Sequence, residues 1–237
     1  IIQEKASKGG SKHMSKNKNT YKFDNMEAFR KLKTNIEFSA VEKPIKAVNI
    51  TSSCANEGKS TVAFHLAQVY AAKYKKVLVI DCDLRRPKMH RYFQISNQVG
   101  LSDLLVFIDK QPDLSTYIQE VTVTDCENAI SVLTSGSKVP NPQELLGSSK
   151  FKKLLQALSK QYDFIILDCP PISMISDTFY VSNVSDGTIF VISMKDTKKD
   201  IALSSIRQLE RSRSKILGIV LTKTQNLSSY DYYYTYE

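Results

Sequence analysis

The 237-residue chain has no tryptophan, and only four cysteines, eight glycines and seven prolines. So little glycine and proline excludes a collagen-like or low-complexity polymer. Cys54, Cys82, Cys126 and Cys169 form neither a CxxC pair nor a Cys/His metal spacing, which excludes a disulfide scaffold and points to a reduced, cytosolic compartment. Long apolar runs are missing as well. The longest, at 164–167 and 216–221, are strand-length, far short of the roughly 20 residues a membrane helix needs. The lysines near the amino terminus have no apolar stretch behind them, so no secretory leader is read there. What is present is ordinary for a globular chain, 42% hydrophobic and 24% charged, and the length predicts one domain of roughly 200 residues plus tails.

Acidic residues are in deficit, 24 against 33 lysines and arginines, giving a net charge of +9. The excess is uneven. Lysines 5, 8, 12, 16, 18 and 22 face Glu4 alone in the first 22 residues, a net +5 in a polar arm. Such an arm reads as a solvated tail, as a nucleic-acid contact or as a contact with an anionic membrane surface. Within it, Gly9-Gly10-Ser11 followed by Lys12-His13-Met14 has the form of a linker and a start methionine. Residues 1–13 are therefore set apart as linker or tag, and 14–23 as a flexible basic arm.

From 24 to 224 the pattern is that of one domain. Met26, Phe29, Leu32 and Ile36 recur at helical spacing behind Asp24. Short apolar runs at 47–51, 77–80, 130–133, 164–167, 188–192 and 216–221 read as strands, with helices after the first run and over 142–160, 174–183 and 197–212. Continuous apolar strands alternating with helices predict an α/β fold, a mostly parallel sheet with helices on both faces. Residues 225–237 form a flexible tail in which Tyr230, Tyr232, Tyr233, Tyr234 and Tyr236 cluster.

Three strand ends carry chemistry. The first leads into Ser53-Cys54-Ala55-Asn56-Glu57-Gly58-Lys59-Ser60-Thr61, the close of a phosphate-binding loop in which backbone N–H groups wrap phosphates, Lys59 neutralises them and Ser60 can ligate Mg²⁺. Ser53 stands where the first glycine of the usual pattern would be, and Asn56 tolerates a left-handed backbone. The second strand ends in Asp81-Cys82-Asp83-Leu84-Arg85-Arg86-Pro87. Two carboxylates two residues apart point the same way off a strand, and their repulsion calls for a metal or a lysine. The third ends in Asp168-Cys169-Pro170-Pro171, with Asp168 suited to Mg²⁺. Each segment alone also fits a turn or a helix start; together they specify a P-loop NTPase-like sheet. His65 and His90 read as packing and surface residues, and the arginines after Asp83 as a charged loop beside a phosphate site.

These three segments in this order resemble the Walker A, A′ and B motifs of the bacterial protein-tyrosine kinases of the polysaccharide co-polymerase systems. Gly100-Leu101-Ser102-Asp103-Leu104-Leu105, Pro140-Asn141-Pro142-Gln143-Glu144-Leu145-Leu146 and the tyrosine tail extend the match from about residue 23 to the end. The resemblance implies an ATP- and Mg²⁺-dependent tyrosine autokinase. Asn56 to Thr61 would hold the nucleotide phosphates, and Thr222-Lys223, in place of the family's Asn-Lys, would lie where adenine is read. Ser60, Asp81, Asp83 and Asp168 would serve the metal, and Lys59, Asp81 and Asp83 catalysis, Asp81 taking the tyrosine proton. The five tail tyrosines would be acceptors for a neighbouring protomer; the span from Lys223 to Tyr236 reaches roughly 40 Å extended. Glu27, Arg30 and Lys33 match a helix that joins protomers in a ring, with Lys33 where the family has arginine.

The resemblance further implies a cytoplasmic kinase recruited to the inner membrane face by the cytosolic carboxyl tail of a transmembrane activator. Residues 1–8 could be such a tail joined in cis. Enzymes of capsular or exopolysaccharide precursor synthesis would be substrates, and no nucleic acid is expected. The alternatives are a partitioning or septum-positioning ATPase, against which stands Cys54 in the position of that class's signature lysine, and a non-catalytic nucleotide-dependent scaffold.

Overall fold

A computed structural model describes residues 25–40, 43–124, 126–173, 176–212 and 214–224. Seven strands form one sheet: β1 (Ala47–Ser52), β2 (Val77–Asp81), β3 (Ile118–Val121), β4 (Ile130–Leu133), β5 (Phe164–Asp168), β6 (Gly187–Ser193) and β7 (Ile216–Thr222), in the order β3-β4-β2-β5-β1-β6-β7. All neighbours are parallel except β3, which runs antiparallel to β4 at the edge. Every residue of β1, β2, β4 and β5 is buried. Their side chains alternate between two cores, one on each face. Val48, Ile50, Val77, Val79 and Ile166 join the first; Ala47, Leu78, Ile80, Ile165 and Leu167 join the second.

Helices α1 (Asn25–Phe38), α2 (Lys59–Ala71), α3 (Met89–Tyr92), α4 (Leu101–Phe107), α5 (Pro142–Leu146), α6 (Ser149–Gln161), α7 (Asp177–Ser182) and α8 (Lys199–Arg211) complete the fold. On α6, Phe151, Leu154, Leu155 and Leu158 are buried, the i, i+3, i+4, i+7 stripe of a helix laid on a sheet. On the opposite face Phe29 of α1 and Leu66 of α2 are fully buried, and Tyr70 stacks on Phe164 with ring centroids 3.6 Å apart. Among the described residues no helix is long and apolar enough to cross a membrane.

The expected helix over 142–160 is two helices. The α5 chain ends at Gly147, whose N–H donates to the Gln143 carbonyl at 2.8 Å, and the Ser148 hydroxyl then accepts the Phe151 N–H at 3.3 Å and starts α6. Strand β3 and helices α3 and α4 fall within a stretch whose sequence shows no sustained period. Beyond Lys59, the strand order does the work that positions a site. Inserting β5 between β1 and β2 sets Asp168 in register with both Ile50 and Asp81, so the ends of all three motif-bearing strands meet at one edge.

Candidate active site

The loop from β1 to α2 turns on two left-handed residues, Asn56 at φ +64° and Gly58 at φ +94°. It is held from inside by Glu57, a carboxylate only 1% exposed. One oxygen accepts the Cys54 N–H at 2.8 Å and the other accepts the Thr197 hydroxyl. From outside, Thr222 at the end of β7 donates its hydroxyl to the Glu57 carbonyl at 2.6 Å. Lys223 gives its ammonium to the Asn56 carbonyl and to Asp196, both at 2.7 Å. Glu57, Thr222 and Lys223 therefore shape the loop through their side chains. Thr61 likewise turns away, its hydroxyl 2.7 Å from that of Tyr92. Thr197, Asp196 and Lys88, whose ammonium reaches the Asn56 side chain at 3.3 Å, belong to the same frame. They carry no signal in the sequence beyond lying after strands.

Gly58 is the hinge of this arrangement. Its φ disfavours any L side chain, and an added Cβ would lie 3.2 Å from Thr222 Cγ2. Gly58→Ala is expected to cost about 1–2 kcal/mol of stability and to weaken ATP binding by more than about tenfold. Thermal unfolding and nucleotide titration check both; unchanged ATP affinity would show that the loop does not need this backbone.

Helix α2 begins directly after the loop, so its free N–H groups and positive end face the crevice. Lys59 is 5% exposed and sits 3.3 Å from Asp83 Oδ2 and 3.8 Å from Asp168 Oδ1. Burial opposes its charge, but Asp168, Asp83 and Asp81 together outweigh that and hold its pKa above the usual lysine value. Ser60 donates its hydroxyl to Asp168 Oδ2 at 2.6 Å. Asp168 Oδ1 is buried with no hydrogen-bond donor, and burial raises the pKa of this carboxyl against the pull of Lys59 and Ser60.

Asp81 is completely buried. Its Oδ1 accepts the Asp83 N–H at 3.1 Å, and its Oδ2 accepts the N–H groups of Lys88 and Met89, both at 2.9 Å. Burial, reinforced by the charge of Asp168, pushes its pKa up to about 7. Asp83 Oδ1 accepts the Arg86 N–H at 3.0 Å while Oδ2 faces Lys59. Three carboxylates thus share a desolvated cradle with one buried ammonium. With Lys59 occupying the space between these carboxylates, a Mg²⁺ ion here would be completed by phosphates and water rather than by a protein cage. The orphaned Asp168 oxygen beside Ser60 is where such an ion fits.

On α1, Glu27 and Arg30 form an exposed ion pair at 3.1 Å. Lys33 instead folds onto its own chain, 5.5 Å above both the Tyr70 and Tyr74 rings and 3.9 Å from Glu37, with burial lowering its pKa. The tyrosines at 230, 232, 233, 234 and 236 and the arm at 1–23 lie outside the described residues.

A strand–loop–helix with Lys59 and Ser60 at the helix start, facing carboxylates on two neighbouring parallel strands, defines a P-loop nucleotide-binding domain. The AAA-domain family profile matches residues 45–224. The chain is 41% identical to the tyrosine-protein kinase YwqD of Bacillus subtilis, over 89% of this chain and 87% of that one. It belongs to the bacterial tyrosine kinases and is an ATP-binding protein-tyrosine kinase. Among solved structures, the chimerical protein CapA2B2 matches with a TM-score of 0.78 and 33% identity over 88% of each chain. The kinase domain of Escherichia coli ETK matches with 0.76 and 30% over 92% of this chain and 86% of that one. A ParA family ATPase of Chlorobium tepidum shares the fold at 0.63 with only 15% identity, so the partitioning class is a distant neighbour.

Proposed function

We propose that this kinase transfers the γ-phosphoryl group of Mg²⁺-ATP to Tyr230, Tyr232, Tyr233, Tyr234 and Tyr236 of a neighbouring copy. The observation that carries the reading is the link between β7 and the phosphate loop: Thr222 and Lys223 are bonded to the Glu57 and Asn56 carbonyls. Thr222 and Lys223, which lead into the tyrosine-bearing segment, thus lie at the phosphate-loop end of the sheet, where a neighbouring copy would meet that segment with its own site. Lys59 and the N–H groups of α2 hold the phosphates, and Ser60 and Asp168 hold the metal ion. When bound, Mg²⁺ would supply charge neutralisation to the phosphates. Asp83 keeps Lys59 directed into the crevice. Asp81 accepts the proton of the tyrosine hydroxyl as the new O–P bond forms and the bond to ADP breaks. That step requires the Lys88 and Met89 N–H groups to release one of its oxygens.

In this reading copies assemble as a ring through the α1 face bearing Glu27 and Arg30, with Lys33 supporting that face from within. A transmembrane activator recruits the kinase to the inner face of the membrane through its cytosolic carboxyl tail. Residues 1–8 act as such a tail in cis. Enzymes of polysaccharide-precursor synthesis are further substrates. Incubation with Mg²⁺-ATP followed by mass spectrometry is expected to find several phosphates on the peptide containing residues 228–237, and none when EDTA removes the metal. ADP release without phosphotyrosine would overturn the assignment of the tail as acceptor.

A further inference from the structure

A second feature opens at the same sheet edge, displaced from the phosphate loop. A cavity of about 410 Å³ is bounded by Leu84, Arg85, Lys138, Val139, Pro140 and Pro142, within the roughly 300–1,000 Å³ of small-ligand sites. Leu84 and Arg85 follow Asp83 directly. Lys138, Val139 and Pro140 come from the loop after β4, the neighbour of β2, and Pro142 opens α5. One wall of the catalytic crevice is therefore continuous with one wall of this cavity.

Both walls are built rather than loose. Arg85 donates from Nε at 2.8 Å and from Nη2 at 3.3 Å to the carboxylate of buried Asp177, which fixes the guanidinium and leaves further N–H donors unspent. Across from it, the loop after β4 is tied to the start of α4. Leu101 and Ser102 N–H donate to the Thr134 and Ser135 carbonyls at 2.7 and 2.9 Å. The Ser102 hydroxyl donates to the Ser137 carbonyl at 2.7 Å, and Asp103 accepts the Ser137 N–H at 3.0 Å. The approach is so close that a Cβ on Gly100 would lie 2.2 Å from the Thr134 carbonyl oxygen. Lys138, the next residue, is exposed and has no ion-pair partner among the described residues. The cavity thus presents the unpaired Lys138 ammonium and the remaining N–H donors of the Asp177-paired Arg85, beside Leu84, Val139 and Pro142.

A peptide that joins aromatic rings to carboxylates fits such a surface, and this chain carries one. Ser-Ser-Tyr-Asp-Tyr-Tyr-Tyr-Thr-Tyr-Glu at 228–237 contains Asp231 and Glu237 and no lysine or arginine. We propose that the cavity is an acceptor subsite in which Lys138 and Arg85 hold a carboxylate flanking the reacting tyrosine of a second copy, so that the kinase selects tyrosines set beside acidic residues. This rests on the reading of the tail as acceptor. Arg85 stands two residues after Asp83 in the same loop, and successive residues of an extended peptide are spaced about 3.3 Å apart.

The test compares two synthetic acceptors, the 228–237 peptide and the same peptide with both carboxylates replaced by lysine, on the full chain and on its Lys138→Glu and Lys138→Arg variants. The parent and Lys138→Arg are expected to favour the acidic peptide by about fivefold or more in kcat/KM. Lys138→Glu is expected to shift that ratio by about tenfold toward the basic peptide. An unchanged ratio in Lys138→Glu, with both peptides phosphorylated, overturns the subsite and leaves the acceptor reading standing. A parent that phosphorylates neither peptide overturns both.

Discussion

Lys59→Met is expected to reduce tyrosine phosphorylation by at least about 100-fold. Among the described residues the ammonium is the only cation buried among Asp81, Asp83 and Asp168, and it is the side chain that would follow the charge of the moving phosphoryl group. Methionine matches its length and not its charge. Removing the positive partner also leaves three carboxylates in one desolvated space, a loss that in buried pairs amounts to about 3–5 kcal/mol unless a carboxyl takes up a proton. The folded-state pKa of Lys59 lies above its ordinary value. Its stabilising contribution is therefore fully present below about pH 10 and is lost only as pH rises through the higher folded value, so the whole of it is missing from the variant at neutral pH. Phosphotyrosine mass spectrometry and thermal unfolding at pH 5 and pH 8 separate the two effects. Carboxyl protonation makes the variant's stability deficit smaller at pH 5. A well-folded variant with phosphorylation within tenfold of the parent would remove Lys59 from the chemistry.

The residues of this cradle were legible in the sequence because phosphate binding needs particular residue types at fixed spacing. Gly58, Lys59 and Ser60 had to open a helix, and Asp81 and Asp168 had to close buried strands; each does so. The left-handed backbone expected at Asn56 is present at φ +64°. The supporting frame was less legible. Glu57 reads as part of a ligand loop, yet its carboxylate faces Cys54 and Thr197. That contact joins residues 140 positions apart and depends on β6 lying beside β1, which no local pattern encodes. Lys33 matches an intersubunit position by spacing alone, while the structure turns it onto Tyr70 and Tyr74. Strand β3 was missed for a related reason. Its residues Ile-Gln-Glu-Val are mixed and only half buried, because an edge strand covered on one side needs no continuous apolar run.

Asp81→Asn is expected to slow phosphotransfer by about 100-fold or more and to remove the acid limb of the pH–rate profile. A base must be ionised to accept a proton. With burial and Asp168 holding its pKa at about 7, Asp81 is protonated below that value, and the parent's rate falls about tenfold per pH unit there. A bound Mg²⁺ adds positive charge and moves the midpoint downward, so the limb lies at or below pH 7 in the loaded enzyme. Stability moves the other way. Because the folded value is above the ordinary carboxyl value of 3.8, ionising Asp81 costs free energy that is absent below pH 3.8 and complete above about 7. The metal-free protein therefore loses stability across that window, and Asp81→Asn flattens the dependence while leaving one backbone N–H facing an amide NH₂, at about 1–3 kcal/mol. Asp83→Asn provides the contrast. Asp83 holds Lys59 at 3.3 Å and takes no proton in the proposed step, so its loss acts on ATP affinity and keeps the acid limb. An Asp81→Asn enzyme that retains the parent's acid limb would assign the proton to another group, and the unprotonated Asp81 would then serve only to hold the loop at Lys88 and Met89.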